Sequence, residues 1–406
     1  MQEQPFLLGV NYWPRRKAMY WWSDFDAGEV REEFAVIREL GLEVVRLFLL
    51  WEDWQPAPDV VDPDALSHLE KVCDIAAGLG LQLNVTFFTG HMSGPSWTPA
   101  WMLQPDRPMP PRIWQVVSGG RVADCGYRNP FTDPLAVQAA ELQLRTVAAR
   151  LKDHPAIAVW NLGNEPDIFA WPADAAGGRA WTRRMTGLIS AIDPHHPVTC
   201  GLHVASLLED NGLRIHDVFN EVDMPVMHGY PMYADWANGP LDSDFVPYLC
   251  ALTSALCGKP TLMEEFGGCT AAPGKASFVH EWMRYGKPFR QFMASEEDLA
   301  AYIEAVLPKL VEVGALGAMI WCYADYAPGL YDRPPCDQAW HERFFGLVRP
   351  DGSLKPHAEV IKRFAATRPV VQPARRMVEL DLTPEEYYRD PRRHAVRLYR
   401  AFTGGQ

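Results

Sequence analysis

Eight short apolar runs recur along this 406-residue chain, separated by longer stretches of helical periodicity. The runs are FLLGVNY (6–12), EVVRLFL (43–49), LQLNVTFF (81–88), AIAVWNLG (156–163), PVTCGLH (197–203), DMPVMHGY (223–230), PTLMEEF (260–266) and GAMIWCY (317–323). Nearly continuous apolar runs of this length read as strands buried on both faces, as in a parallel sheet. Between them, residues 29–40 place Val30, Phe34, Ile37 and Leu40 on one helical face and stop at Gly41, a C-cap signal. Segments 64–79, 134–152, 174–192, 243–257, 295–313 and 355–366 share that pattern, and 204–221 is its weakest instance. Strand–helix alternation repeated eight times predicts an α/β fold, a (β/α)8 TIM barrel over residues 1–368. The remainder, 369–406, is predicted to be a short C-terminal extension packed on the barrel.

Three connections, 89–132, 266–294 and 324–349, are too long for simple turns. All three follow the C-terminal ends of predicted strands, where barrel enzymes build their sites. They carry Trp97, Trp101, Trp114, Trp282 and Trp340 out of 15 Trp in the chain, which offers flat surfaces for stacking. With 38 Lys+Arg against 51 Asp+Glu the net charge is −13, which disfavours nucleic acid and anionic membranes as partners. The most apolar long stretch is interrupted by Lys309 and Glu312, so no membrane span is predicted. The start, MQEQPFLLGVNYWP, lacks the basic segment and apolar run of a secretory signal, and the expected location is cytoplasmic. The eight cysteines contain no CxxC pair and read as reduced, buried thiols. No cofactor and no metal are expected, and an oligomer is possible but not predicted.

Two glutamates stand at predicted strand ends: Glu165 in WNLGNEPD on strand four and Glu265 in TLMEEFGG on strand seven. An ionisable group at the end of a buried strand is costly without a function. Glycoside cleavage needs one carboxylic acid to protonate the leaving oxygen and one carboxylate at the anomeric carbon. Retention sets the pair roughly 5–5.5 Å apart and inversion roughly 6.5–9.5 Å. Glu264 competes with Glu265, and strand alternation predicts that only one of the two points inward. Arg46, inside the apolar run VVRLFLLW, must be paired wherever it is buried.

NLGNEPD followed by KPTLMEEFGG resembles the clan A glycoside hydrolases, particularly glycoside hydrolase family 5, over roughly residues 6–366. The resemblance implies Glu165 as general acid/base and Glu265 as nucleophile. It implies that Arg46 hydrogen-bonds the nucleophile and keeps it ionised, while burial and the neighbouring anion keep Glu165 protonated. Asn164 matches the residue that binds the sugar 2-hydroxyl. His228 and Tyr230, in MHGYP, match a His-x-Tyr at strand six, with Tyr230 touching the nucleophile or ring oxygen and His228 orienting Tyr230 or Glu165. His91 resembles a glycone-binding histidine, and Trp321 the aromatic floor beneath the reactive sugar. Trp13, Trp51, Trp54, Trp97 and Trp101 are weaker platform candidates.

The segments GVNYWP, FLLWEDWQP and TGHMSGPSWTPAWM resemble the branch with β-mannosidases and β-mannanases. The expected activity is a retaining β-glycoside hydrolase acting by double displacement on β-mannosides or manno-oligosaccharides. Insertions that wall off one end of the cleft favour exo action. Alternatives are a β-glucosidase, a β-galactosidase or an endo-β-mannanase on the same site. A non-enzymatic carbohydrate-binding barrel is disfavoured because every matched position carries the expected residue type. A metal hydrolase using His91, His203 and His228 is disfavoured because neither His-x-His after strand one nor HExxH occurs.

Overall fold

The computed structural model describes residues 4–404. The first three residues of the start and the last two of the predicted 369–406 extension lie outside the described residues. The eight apolar runs form eight strands: β1 Leu7–Asn11, β2 Val44–Leu50, β3 Gln82–Thr89, β4 Ile157–Asn164, β5 Val198–Gly201, β6 Val226–His228, β7 Leu262–Gly267 and β8 Gly317–Trp321. They make one parallel sheet in the order β5-β4-β3-β2-β1-β8-β7-β6. A parallel bridge between His203 and His228 joins its two ends: Val204 N–H donates to His228 O at 3.0 Å, and His228 N–H donates to Leu202 O at 3.1 Å. The result is the predicted (β/α)8 barrel, drawn together at its C-terminal mouth.

The helices are α1 Ala27–Glu39, α2 Pro63–Gly78, α3 Pro134–Leu151, α4 Ala175–Ile192, α5 Ile215–Phe219, α6 Phe245–Cys257, α7 Glu296–Glu312 and α8 Pro356–Ala366. Their starts are written locally. Asp26, Asp62 and Asp133 each accept two backbone N–H bonds at an N-cap, and proline follows two of them at the first helical position. The weak segment 204–221 yields only Ala205–Leu208 and α5, because a turn at Gly212 (φ +83°) separates them. All eight cysteines are free and buried. Among the described residues no helix is long and apolar enough to cross a membrane.

The long connections are built structure. Within 89–132, Ser96–Trp97 pairs with Val116–Ser118, which turns back on Arg121–Ala123. Within 266–294, Phe278–Arg284 and Lys287–Met293 form an antiparallel hairpin. The tryptophans divide differently from the platform expectation. Trp13, Trp51, Trp54 and Trp97 are fully buried, and Trp13 stacks on Phe48 with ring centroids 5.1 Å apart. Trp101 is half-buried and gives its Nε1–H to Gln55 O at 2.8 Å. Burial in packing excludes the first four as sugar platforms.

The described residues beyond 368 lie against the barrel. Pro5 bridges Val370, and helix α9, Pro391–Phe402, contacts Ala205–Leu208 and α6. Tyr388 ties this region to the β5–β6 connection. Its hydroxyl donates to Ser206 O at 2.7 Å and accepts from Ile215 N–H at 2.8 Å. Tyr388→Phe leaves both of those buried backbone groups unpaired. We expect a loss of about 1–3 kcal/mol, read as a lower urea midpoint at unchanged slope; an unchanged midpoint would contradict the tie.

Candidate active site

Five side-chain N–H groups of Arg46 set the floor of the barrel mouth. Arg46 is fully buried on β2. Nε donates to Thr86 Oγ1 on β3 at 3.0 Å, and Nη1 donates to Asn11 Oδ1 on β1 at 3.1 Å and to Glu265 Oε1 on β7 at 2.5 Å. Nη2 donates to Asn164 Oδ1 on β4 at 3.0 Å and lies 3.4 Å from Glu264 Oε2. One guanidinium thus fixes four other strands, and every donor has a partner. Gly201, on β5, makes room for it: a Cβ there would sit 2.7 Å from Arg46 Nη2 and 3.2 Å from Glu264 Oε2.

Glu264 corrects the alternation argument. Both Glu264 and Glu265 point into the barrel. Glu264 accepts from Asn84 at 2.7 Å and Asn161 at 2.9 Å, and lies 2.9 Å from His228 Nε2. The pairing of β7 slips register on both sides at this place, between Met227 and His228 against β6 and between Met263 and Phe266 against β8. Such a bulge breaks the period of two and re-aims neighbouring side chains to one face. Glu264 lies fully enclosed beneath the mouth, whereas Glu265 reaches the cavity.

Glu165 sits where β4 ends, with left-handed backbone angles (φ 45°, ψ 51°) that a non-glycine residue adopts only under constraint. Its N–H donates to Gly201 O at 2.8 Å, and Pro166 starts the short helix that follows. His228 stands between the two candidate carboxylates, with Nδ1 3.1 Å from Glu165 Oε1 and 3.4 Å from Glu265 Oε1. Tyr230 donates its hydroxyl to Glu265 Oε2 at 3.0 Å. Asn164 donates to His91 O at 3.0 Å, and His91 Nε2 lies 3.6 Å from Glu165 Oε2. Trp321 ends β8 on the cavity wall. Glu165, Glu265, Arg46, His91, Asn164, His228, Tyr230 and Trp321 are therefore brought together at one mouth.

The electrostatics differ from the expectation. Burial raises the Glu265 carboxyl, His228 and Arg46 oppose it, and the net shift is upward. Burial also works to raise Glu165, but His203, His228 and His91 outweigh it and draw that carboxyl down to about 2. Burial lowers His91 to about 4 and lowers His203 as well. His228 is the histidine in direct hydrogen-bond contact with Glu165. Burial would lower His228 too, yet Glu265, Glu165 and Glu264 together raise it to about 9. The directions are opposite to the expected order, because three histidines surround Glu165 whereas burial and the neighbouring Glu165 carboxylate act on Glu265.

A cavity of about 510 Å³ opens above this cluster. Its lining includes residues that the sequence reading did not select: Arg284 and Phe289 from the hairpin, His341 and Glu342 from the loop after β8, and Tyr233 after β6. They sit in segments without strand or helix period, so no pattern marked them. Three candidate ligand atoms, from Glu165, His228 and Glu265, lie within 4.8 Å of one another. A cation there would face the Arg46 guanidinium 2.5 Å from Glu265, so the donor set suits proton chemistry better than a metal.

The family described as Glycosyl hydrolases family 2, TIM barrel domain, matches residues 114–366, and that described as Beta-galactosidase, in glycosyl hydrolase family 42, matches residues 19–177. A β-galactosidase from an Arthrobacter species is 29% identical over 169 residues, 40% of this chain and 22% of that protein. A probable mannan endo-1,4-β-mannosidase C from Aspergillus terreus is 25% identical over 246 residues, 55% of this chain and 54% of that protein. The exo-β-1,4-mannosidase Op5Man5 from Opitutaceae bacterium strain TAV5 superposes with a TM-score of 0.73 at 26% identity, covering 90% of this chain and 60% of that one. The chain thus spans between about a fifth and three fifths of the length of these relatives.

His228 supplies a pH test. Its folded value, about 9, lies above the ordinary 6.5. The stability it contributes is therefore complete below about pH 6.5 and is lost as pH rises through about 9. We expect the stability difference between wild type and His228→Gln, from denaturant unfolding, to shrink across that window. A difference constant from pH 6 to pH 10 would contradict a protonated His228.

Proposed function

We propose, since the chain belongs to the clan A glycoside hydrolases and matches their family 2 TIM barrel domain over more than half of its length, that it is a retaining exo-β-mannosidase. The observation that carries the mechanism is the approach of Glu165 and Glu265, with an oxygen of each within 4.8 Å of the other's. So close an approach supports direct attack by one carboxylate over the wider spacing, roughly 6.5–9.5 Å, of an inverting pair.

Glu265 is the nucleophile in this reading. Both its oxygens already accept hydrogen bonds, from Arg46 and Tyr230, which aims the carboxylate and stabilises its charge. Glu165 is the acid/base. Among the described residues its Oε2 has only His91 within 4 Å, at 3.6 Å, so it is the oxygen free to carry a proton to a glycosidic oxygen. His228 Nδ1 lies 3.1 Å from the other oxygen and holds the carboxyl in place, while Glu165 takes up its proton at Oε2 from solvent as the sugar enters and displaces water. Glu165 then protonates the leaving oxygen as Glu265 forms the covalent glycosyl ester. With the leaving group gone, Glu165 takes a proton from water, which opens the ester. Asn164 is placed to meet the 2-hydroxyl, and Trp321 excludes water beneath the ring.

Mannose configuration is supported by the two mannosidase relatives. The β-galactosidase match favours a galactoside as the second reading. Exo action is supported by the hairpin, whose Arg284 and Phe289 wall the cavity. Glu165→Gln is expected to lower kcat/KM on an aryl β-mannoside by about 10²–10⁴-fold, and Glu265→Gln by more. Proton NMR of the first product formed should show the β-anomer. Full activity in either variant, or an α-anomer formed first, would overturn the mechanism.

A further inference from the structure

The wall of the cavity facing the two carboxylates holds buried polar atoms with nothing to bond. Arg284 is 8% exposed and His341 1%, and Arg284 Nε and His341 Nδ1 have no hydrogen-bond partner among the described residues. Both residues line the same cavity as Glu165 and Glu265. A buried guanidinium N–H without an acceptor is costly, and Arg46, lower in the same mouth, shows how fully this fold can satisfy one. Arg284 is also held in place. A Cβ on Gly94 would lie 2.5 Å from its Nη2, so the hairpin presses it onto the β3 loop, and Phe289 packs against the guanidinium at 4.7 Å.

Glu342 shares this wall and is buried. It makes no ion pair with Arg284 within 4 Å among the described residues, although Arg284 is the charge that most opposes the effect of burial on its carboxyl. A donor and an acceptor that face one cavity without touching leave a gap for groups able to accept and donate at once. Hydroxyls do both, whereas a carboxylate would meet the second charge unfavourably. The wall comes from the loops after β7 and β8, on the side of Trp321. The leaving group belongs on the other side, with Glu165 at the end of β4.

Resting on the mannosidase reading, we propose that Arg284 and Glu342 form a donor–acceptor pair that grips hydroxyls of the terminal sugar remote from the scissile bond. The pair thereby selects an unsubstituted non-reducing end. A chain extended at those hydroxyls has no room past the hairpin.

The test measures kcat/KM on p-nitrophenyl β-mannoside and its 3-, 4- and 6-deoxy analogues, for wild type, Arg284→Ala, Arg284→Lys and Glu342→Gln. Deleting the hydroxyl that the pair holds should slow wild type roughly 10- to 100-fold. The same deletion should cost Arg284→Ala and Glu342→Gln less than about threefold, because the two losses share one contact. Arg284→Lys should recover part of the activity, and it carries the test with Glu342→Gln if the alanine variant does not fold. Deoxy losses as large in the variants as in wild type at all three positions would overturn the pair's role, as would preference for an aryl β-uronide. Wild type that leaves the parent mannoside intact brings down the mannosidase reading itself, and the pair's role with it. Turnover without coupling brings down only the pair.

Discussion

A guanidinium with no access to water governs this site. Arg46 touches Asn11, Thr86, Asn164 and two consecutive glutamates, so residues from five strands meet at one planar group. Its charge is admissible only because Glu264 and Glu265 both face it, and both can face it only because β7 slips register there. The strand irregularity, the buried arginine and the doubled glutamate are one solution to one problem. The same bonds that satisfy Arg46 orient Glu265 toward the cavity and Asn164 beside it.

The second constraint is the count of charges. Three carboxylates and two cations are enclosed together, and His228 is the movable member. It lies within reach of all three glutamates, and its proton is held by their combined field. Arg46 is a fixed charge that cannot give up a proton, so it suits the aiming of a nucleophile. An imidazolium can yield one, so the charge of His228 follows pH. Glu264 and His228 are fully buried and do not line the cavity.

Much of this was legible in the residues. The eight apolar runs became the eight strands, because strands covered on both faces must be apolar almost throughout. The Asn-Glu-Pro and Glu-Glu-Phe-Gly segments marked the mouth, since charge at the end of such a run is costly. Three things were not legible. The inward turn of Glu264 depends on a register slip set by β6 and β8, which lie far away in sequence. The opposite shifts of Glu165 and Glu265 depend on burial and on histidines that the chain brings beside them only on folding. Arg284, His341 and Glu342 lie in long connections, where position comes from docking against the β3 loop and no period betrays it. The abundant tryptophans were a partial guide. Trp321 and Trp114 line the cavity, whereas Trp13, Trp51, Trp54 and Trp97 fill the space behind it.

The central claim is a covalent bond between Glu265 and the sugar. A 2-deoxy-2-fluoro-β-mannosyl fluoride forms such an ester readily, because fluoride leaves easily, but the electron-withdrawing fluorine slows its hydrolysis. Intact mass followed by peptide mapping should show one added fluorosugar per chain, carried by Glu265. A label on Glu264 or Glu165, or turnover of the reagent to an inverted product with no label, would contradict the account.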